Sequence, residues 1–205
     1  VQQLKTFFKN IVVINDGSSD KTKDRLSDLN INIINHCLNC GQGASLETGL
    51  IYFLRHTDFK YVITFDADGQ HNKYDAKLMV DLIKSNKYSA VIGTRFSNKN
   101  QSTNIPLLKR ITLKLAILYE RIFYSINNTD AHNGLRVLSR KVVEKYLLPI
   151  DNHDMSHATE ISKKLSNKDL NICEFPVNIN YYNVRSQSIF NAINIAIKVI
   201  FYPLK

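Results

Sequence analysis

The sequence predicts an α/β protein, a three-layer αβα sandwich around a mostly parallel sheet, and three observations carry that prediction. Short apolar, β-branched runs at 11–14, 31–34, 61–65 and 90–93 alternate with segments of helical periodicity. Glycine, asparagine or aspartate ends each run abruptly. Carboxylates stand at two of those ends, Asp16 after the first run and Asp66 and Asp68 after the third. The carboxyl ends of parallel strands are where open α/β sheets bind ligands.

Residues 1–9 read as a short helix tail, and 11–14 as a buried strand leading into Asn15-Asp16-Gly17-Ser18-Ser19-Asp20-Lys21-Thr22. Gly17 and the serines make a turn there, and Asp20 can cap a helix reaching about residue 29. After the strand at 31–34, Asn39-Cys40-Gly41-Gln42-Gly43-Ala44-Ser45 opens a helix to residue 56. Glycines at a helix start let backbone N–H groups approach a phosphate or sugar. Gly41 and Gly43 lack the third glycine of a dinucleotide fingerprint.

The third strand ends in Phe65-Asp66-Ala67-Asp68-Gly69-Gln70-His71. Alternation turns Asp66 and Asp68 to one side, and two hard oxygen donors suit Mg2+ or Mn2+ against phosphate. Gln70 adds a neutral oxygen at the next same-side position. About one Asp-x-Asp is expected by chance at this aspartate content, so its placement after a strand carries the reading.

A helix at 74–85 and a strand at 90–93 follow, the latter ending in Gly93-Thr94-Arg95-Phe96. Arg95 can neutralise a phosphate bidentately or make a surface ion pair. Residues 97–104 form a polar, asparagine-rich loop expected over the site. The helix at 106–126 carries Lys109, Arg110, Lys114 and Arg121 on an apolar body. It is expected to turn an apolar stripe to the core and a basic face to solvent; a membrane-surface helix is the alternative.

The polar run at 127–136 gathers Asp130, His132 and Arg136 before a strand at 135–138 and a helix at 140–147. His157 and Glu160 lie about one turn apart in a helix at 154–164. Residues 171–182 read as an edge strand pair interrupted at Pro176. After Arg185-Ser186-Gln187-Ser188, a last helix at 189–202 has a narrow polar stripe of Asn191, Asn194 and Lys198. Burial or a bilayer interface suits such a stripe. The expected organisation is one domain over 1–188 and an interfacial helix over 189–205.

The hydrophobic (44%) and charged (22%) fractions are those of an ordinary soluble domain. A net charge of +9 suits anionic partners such as nucleotide diphosphates or phospholipid headgroups. It also permits nucleic acid, but no helix-turn-helix, zinc finger or aromatic RNA-binding signature is found. Cys37, Cys40 and Cys173 are too few and odd in number for a disulfide framework, which points to a reducing compartment. Without a second pair, Cys37-x-x-Cys40 reads as strand-end packing rather than a zinc site. No apolar run is long enough to span a bilayer.

In this order the motifs resemble glycosyltransferase family 2 enzymes of the GT-A (Rossmann-like) fold, especially the dolichol-phosphate-mannose-synthase-like and bacterial polysaccharide branch. The resemblance runs from Ile11 to about Ile195, through the Asp16 turn, Gly41-Gln42-Gly43-Ala44, Phe65 to His71, Gly93 to Phe96, Thr129-Asp130, Gly134-Leu135-Arg136 and Arg185 to Ser188. It implies transfer of a sugar from a nucleotide-diphosphate donor to a polyprenyl phosphate or growing glycan, with inversion, beside the cytoplasmic inner face of a membrane. Asp16, Gly17, Ser18, Gly41, Gly43 and Asp66 would hold the nucleotide-sugar. Asp66, Asp68 and Gln70 would hold the metal, and Arg95, Arg136 and Arg185 would meet diphosphate or acceptor phosphate. A polyprenyl phosphate oxygen is already anionic, whereas a sugar hydroxyl needs a carboxylate base, for which Asp130 and Glu160 are the candidates.

Two departures are expected to matter. The family's opening strand, with its Pro-x-x-Asn-Glu-like turn, does not precede Val1, so the first family strand is missing from this sequence. The long transmembrane extension of some relatives is also not found, so membrane contact is expected to be peripheral. A rival enzyme reading is a haloacid-dehalogenase-like phosphatase, whose signature is also a strand followed by Asp-x-Asp-Gly. That motif usually opens its domain, whereas here two β–α units precede it and Gln70 follows.

Overall fold

The computed structural model describes residues 1–85, 87–97, 105–130 and 132–181. Most of the loop at 97–104, Arg185 and the helix at 189–202 lie outside the described residues. A 3-10 turn, Leu4–Thr6, replaces the expected helix tail. The strands are β1 (Val12–Asn15), β2 (Asn32–Asn35), β3 (Tyr61–Thr64), β4 (Ala90–Thr94), β5 (Arg136–Ser139) and β6 (Ile172–Pro176). The helices are α1 (Thr22–Ser27), α2 (Gln42–His56), α3 (Lys73–Ser85), α4 (Leu107–Tyr124), α5 (Arg140–Val142) and α6 (His157–Leu165). A π-helical turn, Val143–Leu147, continues α5.

The strands form two sheets. β1 and β2 pair in parallel, and the other four run in the order β3-β5-β4-β6. Within the larger sheet β5 alone is reversed, antiparallel to both β3 and β4. The expected edge pair at 171–182 is one strand, β6, lying parallel to β4 at the sheet's edge. Pro176 is the last strand residue and has no N–H to donate, but the Val177 amide beyond it still donates to the Thr94 carbonyl of β4 (2.9 Å).

Alternation along β4 and β5 builds a core on each face. Ala90, Ile92 and Leu138 pack with Leu50 and Phe53 of α2, Val142 of α5 and Ile161 and Leu165 of α6. Val91 and Val137 point the other way, onto Ala76, Met79 and Ile83 of α3. Burying each such aliphatic side chain contributes about 1.5–3 kcal/mol. The three-layer arrangement follows from this alternation.

β1 and β3 do not pair with each other among the described residues. They face the same cleft of about 3320 Å³, lined by Val12 and Ile14 on one wall and by Tyr61 and Ile63 on the other. α2 packs against both strands and supplies Leu46 and Gly49 to the lining. The expected central sheet is therefore in two pieces, and the family's opening strand is not among the described residues.

α4 reverses its expected orientation. Leu113 and Glu120 turn inward, while Leu107, Ile111, Leu115, Leu118 and Ile122 are exposed. Periodicity predicted an apolar stripe correctly but not the side it would face.

Candidate active site

Asp16 leaves the end of β1 and ties it to the loop that opens α2. Its Oδ1 accepts hydrogen bonds from the Cys40 amide (2.9 Å) and His36 Nδ1 (2.7 Å), and its Oδ2 from the Gly41 amide (2.8 Å). Burial pushes the Asp16 carboxyl up, but the Cys40 amide, His36 and the Gly41 amide outweigh it and hold the group below its ordinary range. His36 is fixed at its other nitrogen by Thr48 (3.0 Å). The next two residues, Gly17 and Ser18, complete the turn, with the Ser18 amide donating to Asn15 Oδ1 (3.3 Å).

Across the cleft, Asp66 follows β3. Gln42 donates to its Oδ1 (3.1 Å), and His71 Nε2 approaches Oδ2 at 3.3 Å. The buried Nδ1 of His71 has no partner among the described residues, so Nε2 is the nitrogen that serves Asp66. Burial raises the Asp66 carboxyl, but His71, Arg136 and His157 overcome that and hold it ionised. Gly134 leaves room for this carboxylate: a Cβ there would lie 2.5 Å from Asp66 Oδ1.

Asp68 is exposed and accepts from the Gln70 amide (2.9 Å), closing the turn that Gly69 permits at φ 79°. The Gln70 carbonyl accepts from the Asn180 amide (2.9 Å), which pins the turn to the chain beyond β6. Asp16, Asp66, Asp68, Gln70, Arg95 and Arg136 all line the one cleft. Asp66, Asp68 and Gln70 are oxygen donors of the kind that Mg2+ and Mn2+ prefer, so the residues fit such an ion.

The family model described as Glycosyl transferase family 2 matches residues 1–147. The chain belongs to glycosyl transferase family 2. An uncharacterized protein of Methanocaldococcus jannaschii is 34% identical over 179 residues, covering 86% of this chain and 72% of that protein. UDP-N-acetylglucosamine–dolichyl-phosphate N-acetylglucosaminyltransferase of Methanococcus voltae is 30% identical over 197 residues, covering 85% and 76%.

Among solved structures, glucosyl-3-phosphoglycerate synthase from Mycobacterium tuberculosis in complex with phosphoglyceric acid aligns at TM-score 0.64 and 12% identity, over 93% of this chain and 66% of that one. The same synthase with Mn2+ and UDP-glucose aligns at 0.61 and 12%, over 92% and 64%. The chain thus spans just under two thirds of these structures, and the likeness establishes the GT-A fold. With family 2 membership the chain is a glycosyltransferase, and the phosphatase reading of Asp66 and Asp68 falls away.

Several site residues of this family 2 enzyme are placed differently from the sequence reading. The side-chain space at Gly41 and Gly43 is taken by protein, because a Cβ at either would strike the carbonyl oxygen of His153 or Asn152. Their amides are also engaged, Gly41 with Asp16 and Gly43 with the His153 carbonyl (3.0 Å). These glycines admit the 152–153 loop, where an approach by phosphate was expected.

Arg95 is neither exposed nor waiting for a phosphate. Its amide and Nε donate to Asp130 Oδ2 (2.8 and 2.7 Å) and its Nη2 to Oδ1 (2.6 Å), with both residues buried. Burial opposes the charge, but Asp130 overrides that and keeps the guanidinium protonated.

Neither proposed base lines the cleft. Asp130 is consumed by Arg95, and Asn133 Nδ2 approaches it at 3.4 Å. Glu160 accepts from the Asp151 and Asn152 amides (3.0 and 2.9 Å), Asn152 Nδ2 (2.8 Å) and Lys164 (2.6 Å). It clamps the loop that rests on Gly41 and Gly43.

Arg136, on β5 opposite Thr64, is buried beside Asp66, Asp130 and Glu120; burial lowers its pKa while those acids favour its charge. His132 and His157 also line the cleft. Burial drives His132 down to about 4, and His157 below its ordinary value, so neutral imidazoles face the site. His157 Nδ1 donates to the Asp154 carbonyl (2.6 Å), which leaves Nε2 as its acceptor. Gln42, His71 and Lys109 are site residues that the sequence reading missed. Gln42 stood inside the quoted glycine motif and His71 ended the aspartate motif, so position alone could have nominated both.

Proposed function

We propose that this glycosyltransferase moves a hexose from a nucleotide-diphosphate sugar to a polyprenyl phosphate, dependent on Mg2+ or Mn2+ and with inversion. One observation carries the reading: Asp66 and Asp68 leave β3 into the cleft that Asp16 closes from the other sheet. A divalent ion held by Asp66, Asp68 and Gln70 would neutralise charge on the departing diphosphate. Arg136 adds a fixed positive charge beside Asp66. Asp16 would hold the nucleotide, since it is fixed and ionised before any donor arrives.

The acceptor follows from the fate of the two carboxylates. With Asp130 and Glu160 committed to internal partners, neither carboxylate serves as a base, which favours an acceptor oxygen that brings its own negative charge, as a phosphate monoester does. That oxygen attacks the anomeric carbon as the bond to the diphosphate breaks on the opposite face, leaving a glycosyl phosphodiester and a nucleoside diphosphate. The names of relatives agree with this class: the Methanococcus voltae enzyme above and an undecaprenyl-phosphate mannosyltransferase of Micrococcus luteus, 24% identical over 131 residues, both name a polyprenyl phosphate. A reaction on such a lipid belongs at a membrane surface, and we place it on the cytoplasmic face.

UDP-, GDP- and dTDP-sugars screened by thermal shift with Mn2+ test the donor half. One of them is expected to raise the Tm of the native protein, and Asp68→Ala is expected to abolish that rise without lowering the basal Tm. Donor affinity unchanged in Asp68→Ala would overturn the assignment.

A further inference from the structure

The Cys40 thiol stands beside Asp16 without a part in the reading above. Strand-end packing was expected of Cys37-x-x-Cys40, yet both thiols are free and exposed. The loop that carries Cys40 is instead folded back on the Asp16 turn. A Cβ at Gly17 would lie 2.5 Å from the Leu38 carbonyl carbon and 2.6 Å from the Asn39 nitrogen, so glycine is what lets the two segments touch. The Cys40 and Gly41 amides then hold the Asp16 carboxylate in place.

This folding brings three different ligand atoms together. An Asp16 oxygen, a His36 ring nitrogen and the Cys40 sulfur all lie within 4.8 Å of one another, the one such group of His, Cys, Asp or Glu side chains among the described residues. A tetrahedral zinc ion, about 2.0–2.3 Å from each, would space its ligands by about 3.3–3.6 Å. The Asp16–His36 contact (2.7 Å) then opens by about half an ångström. The Cys40 sulfur gives up only a long hydrogen bond to the Leu38 carbonyl (3.4 Å) to turn inward. His36 Nε2 already stands 3.0 Å from the Thr48 hydroxyl of α2, the outer hydrogen bond that orients a metal-ligating imidazole.

We propose that Asp16, His36 and Cys40 form a second metal site, which takes Zn2+ and excludes the nucleotide while it is filled. Mixed oxygen, nitrogen and sulfur donors suit zinc, whereas Asp66, Asp68 and Gln70 across the cleft offer oxygen alone and suit Mg2+ or Mn2+. Zinc takes the place between Asp16 Oδ1 and His36 Nδ1 that a proton now holds. The ring's proton then sits on Nε2 toward Thr48, and the Cys40 thiol releases its own to solvent. Three protein ligands leave the fourth position open to water. A filled site uses up the charge and a lone pair of the Asp16 carboxylate, so the donor is not held there. The competition rests on the assignment of Asp16 to the nucleotide in the reading above, whereas the zinc site itself does not.

Cobalt substitution and chelator competition on the full chain test the site. With Co2+ the wild type is expected to show a near-ultraviolet thiolate-to-metal band, which Cys37→Ser keeps and Cys40→Ser loses. Zn2+ affinity, read against a chromogenic chelator, is expected to fall roughly 100-fold or more in Cys40→Ser, which loses a ligand, and about tenfold in Thr48→Val, which loses the outer hydrogen bond. The Cys40 side chain is exposed and the backbone amide is kept, so Cys40→Ser should leave the basal Tm and the donor-induced shift with Mn2+ unchanged. Zn2+ added with excess Mn2+ should suppress that donor shift in wild type and spare it in Cys40→Ser, which separates this site from zinc bound at Asp66 and Asp68. Equal zinc affinity in wild type and Cys40→Ser, or a cobalt band that follows Cys37, would overturn the site. A donor shift that survives saturating zinc in wild type would overturn the exclusion of nucleotide. A missing donor shift in zinc-free wild type would instead count against the sugar-transfer reading, with the cobalt and chelator results unaffected.

Discussion

A hydrogen atom at position 134 decides whether Asp66 can stand where it does. Gly134→Ala would lay a methyl group on the Asp66 carboxylate, and the backbone of the β5 approach cannot retreat because Leu135 is buried behind it. The expected result is loss of the donor-induced thermal shift with a change in basal Tm of only a few degrees, checked by calorimetry with and without donor and Mn2+. Glu120 sets a different residue-scale expectation. Burial raises its carboxyl to about 7, even though the Thr159 hydroxyl donates to it (2.8 Å). The native state thus holds this proton more tightly than the unfolded chain does. Its contribution is complete below the ordinary value of 4.5 and is lost as pH rises through about 7. Glu120→Gln should flatten the fall in stability between pH 4.5 and about pH 7, by on the order of 3 kcal/mol in urea titrations. His132 has the opposite sign. Its depressed pKa gives a contribution complete above 6.5 and lost as pH falls toward about 4, so the acid-side loss should survive in Glu120→Gln.

At the scale of elements, the loop at 151–154 behaves as one part with Glu160 and the opening of α2. Glu160 holds the loop, and the loop covers the Cβ-less sides of Gly41 and Gly43. Glu160→Gln should lower stability by about 2 kcal/mol, because the amide meets at least one of the same donors with an N–H. It should also weaken donor binding while leaving the pH dependence of turnover unchanged. A base would show the reverse, with Tm intact and the rising limb of the pH–rate profile gone. This element also marks how far the sequence could be read. Most strands and helices fell within one or two residues of expectation, because alternation, glycine punctuation and the Asp20 bond to the Thr22 amide are local signals; the tail at 1–9, the helix start expected at 154 and the edge pair expected at 171–182 did not. Arg95 and Asp130 are 35 residues apart, and Gly43 meets His153 from the far end of the chain, so nothing local announced either contact. The reversal of β5 and the outward turn of α4 were hidden for the same reason. Periodicity encodes a stripe, whereas its direction is set by neighbours distant in sequence.

Across the whole molecule, the split sheet predicts two tiers of stability joined through the ligand. β4 lies between β5 and β6 with all five residues buried, and cores cover both of its faces. β1 pairs with β2 alone among the described residues, and Val12, Val13 and Ile14 are only partly buried. Amide hydrogen exchange should therefore be slowest in β4 and β5 and markedly faster in β1 and β2. The proposed donor would span the division, with its nucleotide at Asp16 on the small sheet and its diphosphate and metal at Asp66 and Asp68 on the large one. A ligand that binds only the assembled cleft stabilises it by about 2.7 kcal/mol at one hundred times its Kd. That gain should appear as slowed exchange in β1 and at the start of α2, with little change in β4, which is expected to open only with global unfolding. Protection confined to the residues around Asp66, with β1 unaffected, would show that Asp16 takes no part in holding the donor, and the cleft would then be a one-sided site.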